Sequence, residues 1–418
     1  MREFDYSDEN IERTIKADYF KRNTYIQNLI MYINNSETQA TFAVSGEWGS
    51  GKTVFMHQFM YTAKHRDIFG GNPIGEDGKK DMEVFYYNAW ENELLKKPSI
   101  AILDSIIRKY YFWNKEDKAN IQTVLDKVGN IAVKVASAGV LDINDFKLDS
   151  SDEIDTQKIE KDFIETIDYI INKMSCKKVV IVIDELDRCK PTTVITMLEE
   201  IKHFYNHDSL CFVFSADFGQ LSNTIKKIYG ENFDADLYMQ RFFDAIFTLS
   251  SSDYEKYINE ELLYSIGQTN ISHELCKVAI GNVGLSIRET NKFIKKIKTI
   301  EKEIYDFDEF YPEASAVKAL FVPWALALKY SNSKEYRKLI DGELNITEIK
   351  DYVDTSIDLA KWLKDCCYGR RQETEDIDIY KVLYDTYKSV FRKAGFKYQG
   401  EERNELHIKN KVLSYIEF

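Results

Sequence analysis

Eight consecutive residues, Gly46-Glu47-Trp48-Gly49-Ser50-Gly51-Lys52-Thr53, carry the spacing G-x-x-x-x-G-K-[ST] of a phosphate-binding loop. Each residue type has a physical task. Gly46, Gly49 and Gly51 allow positive φ and let backbone N–H groups approach phosphate oxygens. A helix opening near Gly51 would aim unpaired N–H donors and the positive end of its dipole at the same anion. Lys52 would reach the β/γ-phosphates, and Thr53 would offer its hydroxyl to Mg2+. The expected cradle comprises Gly46, Trp48, Gly49, Ser50, Gly51, Lys52, Thr53 and Val54.

A phosphate cradle names no reaction, but a second cluster does. Asp184-Glu185 ends the apolar run Val179–Ile183, roughly 130 residues beyond Thr53. At the end of a buried strand, Asp184 is placed to hold Mg2+ opposite Thr53, directly or through water. Glu185 can orient and deprotonate an attacking water. Ser215 and Asp217 end the next apolar run. A polar group there would face the γ-phosphate, while Asp217 reads equally as a helix N-cap. Hydrolysis calls for a cation beyond Lys52 to neutralise transition-state charge. Arg241, Arg288 and Arg188 are spaced for that role, and each reads equally as a surface or salt-bridged arginine.

The elements that must position these groups follow from periodicity. Thr41–Ser45, Glu83–Tyr87, Val179–Ile183, Leu210–Phe214 and Ala245–Leu249 read as strands. Continuous β-branched runs such as Val179–Ile183 suit parallel strands covered on both faces. Helical spacing is expected over 18–34, after Lys52, from Pro98 to about Tyr111, over 156–174, from Pro191 to Tyr205, and to about Ile228. This alternation implies an α/β fold with a doubly wound parallel sheet over residues 1–250. Residues 251–418 read as helical throughout. Residues 1–15 read as polar and peripheral, 67–81 as a glycine-rich excursion, and 113–155 as an insertion or lid.

The chain has 418 residues, 44% hydrophobic and 30% charged, which is a globular composition too long for one ordinary core. A net charge of −13 argues against broad nonspecific binding to nucleic acid or anionic membrane. Six cysteines without a C-x-x-C pair indicate reduced thiols and a cytoplasmic setting. The acidic N-terminus is unlike a signal peptide. The most apolar long run, Val128–Ile143, spans 16 residues and contains Asn130, Lys134 and Asp142. That is short of the roughly 20 apolar residues a spanning helix needs, so a soluble or interfacial helix is expected, with peripheral membrane association as the alternative. His203 and His207 stand at metal-ligand spacing without a third ligand.

Gly46–Thr53, Asn88-Ala89-Trp90, Ile183-Asp184-Glu185-Leu186-Asp187-Arg188-Cys189 and Phe214-Ser215-Ala216-Asp217 together resemble the KAP family of P-loop NTPases. So do Tyr238–Phe243 and Ser286–Phe293, and the likeness covers about residues 15–300. The resemblance implies a three-layer fold of the additional-strand class, with the Ser215 strand between the P-loop and Asp184 strands. It also implies ATP as the nucleotide and links to phage exclusion or membrane-associated signalling. Many relatives carry transmembrane hairpins between the two motifs, and the insertion at 113–155 has none. Family members often carry Asp-Asp where this chain has Asp184-Glu185, a change that keeps a carboxylate.

The reading that best joins these features is a Mg2+-dependent ATPase acting as a conformational switch. Lys52, Glu185, Arg241 and Arg288 would be catalytic, and Thr53 and Asp184 would hold the metal. A homo-oligomer is expected, or a partner protein bound through the helical C-terminal region, because Arg241 or Arg188 could act across a subunit boundary. The alternatives are a nucleic-acid-stimulated motor ATPase, a small-molecule phosphotransferase and a nucleotide-binding scaffold with little turnover.

Overall fold

The computed structural model describes residues 4–106, 164–249, 254–304, 312–353 and 379–416, apart from short gaps within those ranges. The chain divides into two compact units, Met1–Ser252 and Asp253–Phe418.

In the first unit, five strands form one parallel sheet: β1 (Ala40–Ser45), β2 (Lys80–Asn88), β3 (Cys176–Asp184), β4 (Leu210–Ala216) and β5 (Ala245–Thr248). Their order is β2-β3-β4-β1-β5, so β4 separates the P-loop strand from the Asp184 strand. Side chains alternate between the two faces of a strand. Val179, Ile181 and Ile183 therefore join Phe212 and Phe214 on one face. There they meet Val194, Leu198 and Ile201 of α4 (Pro191–Phe204) and Leu221 and Ile225 of α5 (Phe218–Tyr229). Val180, Val182 and Val213 take the other face, against α2 (Asn23–Asn35) and α3 (Lys52–Lys64), through Ile26, Leu29, Phe55 and Phe59. The result is a three-layer α/β fold of the P-loop type.

The same alternation sorts the polar strand ends. Asp184, two residues beyond Val182, falls on the α3 face. Ser215, two beyond Val213, joins it, and so does Tyr86 of β2, which packs with that cluster. Strand register then sets Asn88, Asp184, Ser215 and Val44 side by side in one row across four strands. The P-loop leaves β1 one residue past this row.

Three local readings change. Residues 8–17 are not peripheral: they form α1 (Asp8–Ala17), and Ile11 and Ile15 are buried. Their four-residue spacing puts both on one helix face. The helix expected over 18–34 begins only at Asn23, because Asp18 (φ 41°) and Lys21 (φ 51°) break it with left-handed backbone. Within 67–81, a 3-10 turn runs Arg66–Phe69 and Ile74 bridges Lys80. The 113–155 insertion, with Val128–Ile143, lies outside the described residues, and the helices expected from Pro98 and over 156–174 are described only at scattered positions.

The second unit is mostly helical. Leu275, Phe293, Ile297, Leu320, Phe321 and Tyr387 lie in its core. It departs from the all-helical expectation in a short antiparallel hairpin, β6 (Phe396–Tyr398) with β7 (Glu401–Arg403). Among the described residues, no helix is long and apolar enough to cross a membrane.

If α1 belongs to the same cooperative unit as the sheet, Ile15→Ala should cost about 2–4 kcal/mol. This would be read as a lower urea midpoint at unchanged slope; an unchanged midpoint would detach α1 from the core.

Candidate functional site

The P-loop turns out of β1 as a compact knot. Gly46 N–H donates to Ala216 O of β4 at 3.4 Å, and Ser50 N–H closes onto Glu47 O at 3.2 Å. Gly49 (φ 83°) and Gly51 (φ 84°) take the left-handed backbone expected of them, whereas Gly46 does not. Gly46 leaves room of a different kind: a Cβ there would stand 2.7 Å from Ser50 Oγ, which would have to turn away. Gly51 caps α3, so Lys52, Thr53 and Val54 form its first turn, with Thr53 and Val54 half-buried.

Lys52 is 9% exposed, and its ammonium donates to Gly46 O at 2.6 Å and Glu47 O at 3.2 Å. Burial pulls its pKa down, and the nearby carboxylates of Asp187, Asp217 and Asp184 oppose that. Asp187 is the nearest, with Oδ2 3.8 Å away and a side chain only 4% exposed. The same oxygen accepts the Trp48 indole N–H at 2.8 Å and the Asp217 backbone N–H at 2.9 Å. One carboxylate thus ties together the P-loop, the turn after β3 and the end of β4. Trp48, expected in the cradle, turns its side chain to Asp187 and leaves its ring 59% exposed. Asp217 caps α5, accepting Gln220 N–H at 3.1 Å.

Asp184 is 1% exposed. Its Oδ2 accepts the Tyr86 hydroxyl at 3.0 Å and its Oδ1 the Glu185 N–H at 2.9 Å. Burial and the neighbouring Asp184 and Glu185 carboxylates push the Tyr86 hydroxyl far above its ordinary pKa, so it stays a donor. Glu185 adopts left-handed backbone (φ 61°), which costs a residue with a Cβ about 1–2 kcal/mol. Its carboxylate is held from two sides: Asn88 Nδ2 at 3.1 Å and Arg188 Nη2 at 2.8 Å. Arg188 also lies over the Trp90 ring at 5.7 Å.

Two hydroxyls in this region, Ser50 Oγ and Ser215 Oγ, are buried with no hydrogen-bond partner among the described residues. Orphaned hydroxyls, a glycine held bare by its neighbour and a buried ammonium fit a phosphate chain entering the loop. Asp184 and Thr53 supply the oxygen donors a magnesium ion accompanying it would take.

The arginines are dispersed. Arg188 stands at the site, paired with Glu185. Arg241 does not reach the P-loop of its own chain. It caps α6 (Ala235–Gln240), is exposed, and receives the Lys202 ammonium on its carbonyl. With Thr41, Lys202 and Asp244 it lines a cavity of about 120 Å³ at the start of β1. The P-loop leaves the other end of that strand, so about five residues of extended chain, roughly 16 Å, intervene. Arg288 lies in the second unit, exposed in the first turn of a helix, Ile287–Ile304. Ser286 and Glu289 cap that helix reciprocally, with Ser286 N–H to Glu289 Oε2 at 2.8 Å and Glu289 N–H to Ser286 Oγ at 3.4 Å.

Tyr86, Asn88, Asp187 and Arg22 had no role assigned from the sequence. Asn88 and Asp187 lie inside motifs already noted, and pairing β2 with β3 would have pointed to Asn88. Arg22, which donates to the P-loop carbonyls of Ser50 and Gly51, carries no local signal. His207, considered for metal binding, bonds Asp168 at 2.6 Å, and no metal-holding cluster occurs among the described residues.

The model of the KAP family P-loop domain matches residues 22–312. None of the curated proteins compared with the chain matches it. Among solved structures, the chain is similar to the Aeropyrum pernix ORC2 protein in ADPNP-ADP complexes, at 12% identity over 98% of this chain and 85% of that one, TM-score 0.36. It is also similar to a Thermotoga maritima DNA polymerase III gamma subunit-related protein, at 11% identity over 94% and 98%, TM-score 0.28. Drosophila ORC bound to DNA is similar at 10% identity over 97% and 98%, TM-score 0.30.

Removing the carboxylate that ties three segments should be costly. Asp187→Ala is expected to lower stability by about 1–3 kcal/mol, since it takes the nearest carboxylate from the buried Lys52 ammonium and leaves the Asp217 N–H without its acceptor. Asp187→Asn, which keeps an acceptor, should cost less, and equal denaturation midpoints for the two variants would contradict this.

Proposed function

The chain belongs to the KAP family of P-loop NTPases, and on that premise we propose that it is a Mg2+-dependent ATPase used as a conformational switch. The observation carrying the reading is the row Asn88–Asp184–Ser215, which shares the α3 face and runs up to the P-loop strand. The cradle residues Gly46, Trp48, Gly49, Ser50, Gly51, Lys52, Thr53 and Val54 bind the phosphate chain. They do so chiefly through backbone N–H groups, with Lys52 exchanging its loop carbonyls for phosphate oxygens. Thr53 and Asp184 hold Mg2+, and Tyr86 fixes the Asp184 carboxylate. Bound Mg2+ would withdraw charge from the phosphate oxygens. Glu185 takes the proton from the attacking water, and Ser215 orients it.

The switch reading draws on the state of Glu185. Its carboxylate is occupied by Asn88 and Arg188, so it acts as a base only once those bonds loosen. The same contacts favour the second reading, a nucleotide-binding scaffold with little turnover. Glu185→Gln separates the two. A switch loses about a hundredfold or more in kcat with nucleotide affinity kept. Equal, slow phosphate release from both proteins leaves the scaffold.

Arg241, too far from its own P-loop, is assigned to the nucleotide of a second copy. Arg241→Ala should abolish turnover but not ATP binding. Mixing it with Lys52→Ala, which keeps Arg241, should recover part of the activity. Full activity of Arg241→Ala alone, or no recovery on mixing, would remove the role.

A further inference from the structure

Arg22 is 5% exposed, yet it lies before the first strand, in a segment with no motif. Its Nη2 donates to Ser50 O at 2.6 Å and its Nη1 to Gly51 O at 3.1 Å. The guanidinium lies over the Phe20 ring at 4.7 Å. Its Nε is buried without a hydrogen-bond partner among the described residues, and burial pulls its pKa down to about 10, which leaves it charged at neutral pH. The turn that delivers it is tightly determined. Asp18 and Lys21 both take left-handed backbone, and Asp18 Oδ1 accepts Arg22 N–H at 2.7 Å and Asn23 N–H at 3.2 Å. Asn23 Nδ2 returns to Ile15 O of α1 at 2.9 Å.

The effect of those two bonds follows from peptide geometry. In a trans peptide the carbonyl and the next N–H point in opposite directions. Ser50 O shares its peptide with Gly51 N–H, and Gly51 O with Lys52 N–H. Drawing both carbonyls to one side turns both N–H groups to the other. These two planes flank a glycine, where backbone rotation is least restricted. The helix α3 holds the second plane as well, through the Phe55 N–H to Gly51 O at 3.0 Å, so the Ser50–Gly51 plane is the one that depends most on Arg22.

We propose that Arg22 is a positioning residue for nucleotide binding. It locks the Ser50–Gly51 peptide and, together with the Phe55 N–H, the Gly51–Lys52 peptide, so that both N–H groups face the α/β-phosphates, and it does not itself touch the nucleotide. The inference rests on residues 46–53 being the nucleotide cradle. Because ADP and ATP share those phosphates, both should depend on Arg22 alike, while the water attack served by Glu185 should not.

The test compares wild type, Arg22→Ala and Arg22→Lys in the full chain, by ADP and ATP binding with Mg2+, by kcat and KM, and by melting without nucleotide. Arg22→Ala should bind both nucleotides about tenfold to a hundredfold more weakly. Its KM should rise in step with kcat within about threefold of wild type, and free guanidinium ion should restore part of the affinity. Arg22→Lys keeps the charge but replaces the planar fork with a compact ammonium that holds the two carbonyls less rigidly, and should fall between, with a near-native melting temperature; it decides the matter if the alanine variant does not fold. Wild-type affinity in either folded variant would overturn the proposal. So would a fall in kcat matching the loss of affinity, or no response to guanidinium. If wild type binds neither ADP nor ATP, the cradle reading itself fails and this inference with it. If only the variants behave as wild type, the cradle reading stands.

Discussion

A cation has to be kept buried and charged in a place built to receive an anion. The Lys52 ammonium sits inside the P-loop with the loop's own carbonyls as acceptors and Asp187 just beyond them. Desolvating a charge is expensive unless it is paired and hydrogen-bonded. Much of the surrounding structure serves that requirement. Asp187 is fixed by the Trp48 indole and the Asp217 amide, and Asp217 in turn begins α5. The loop stores a pre-formed set of interactions that a phosphate can take over without a large rearrangement.

The sheet supplies the second constraint, and it is one of parity. With a period of two, a shift of one residue would send Asp184 and Ser215 to the opposite face, away from α3. The β-branched runs of β3 and β4 are buried on both sides, so they resist slippage only through how well each face fits its helices. The polar row at the strand ends inherits its alignment from apolar packing several residues away.

Much of this was legible in the chain. The five strands, the helices following β1, β3 and β4, and the Asp184-Glu185 cluster all rest on local patterns: β-branched runs, a glycine spacing, carboxylates at a strand end. What escaped is non-local. Asp187 looks like any turn acid until β4 and the P-loop meet it. Tyr86 sits in a pair of tyrosines, and only the strand's alternation and register decide which one faces Asp184. Gly46 matched its motif for a reason other than φ. Residues 1–15 read as polar because Ile11 and Ile15 are only two apolar positions, spaced for one face of a short helix, and Arg22 gains its meaning from backbone atoms 28 and 29 positions later. The arginines show the same limit: spacing along the chain said nothing of which end of the sheet Arg241 would occupy.

Glu185 combines two properties that pull against each other. Its left-handed backbone suits glycine or asparagine better than a residue with a long side chain. Its carboxylate is what the proposed hydrolytic role needs there. Any search for more robust versions of this protein, judged by melting alone, would therefore favour replacing it. The gain in robustness would come from relaxing the backbone at the cost of the proposed base, a stability–activity conflict confined to a single position.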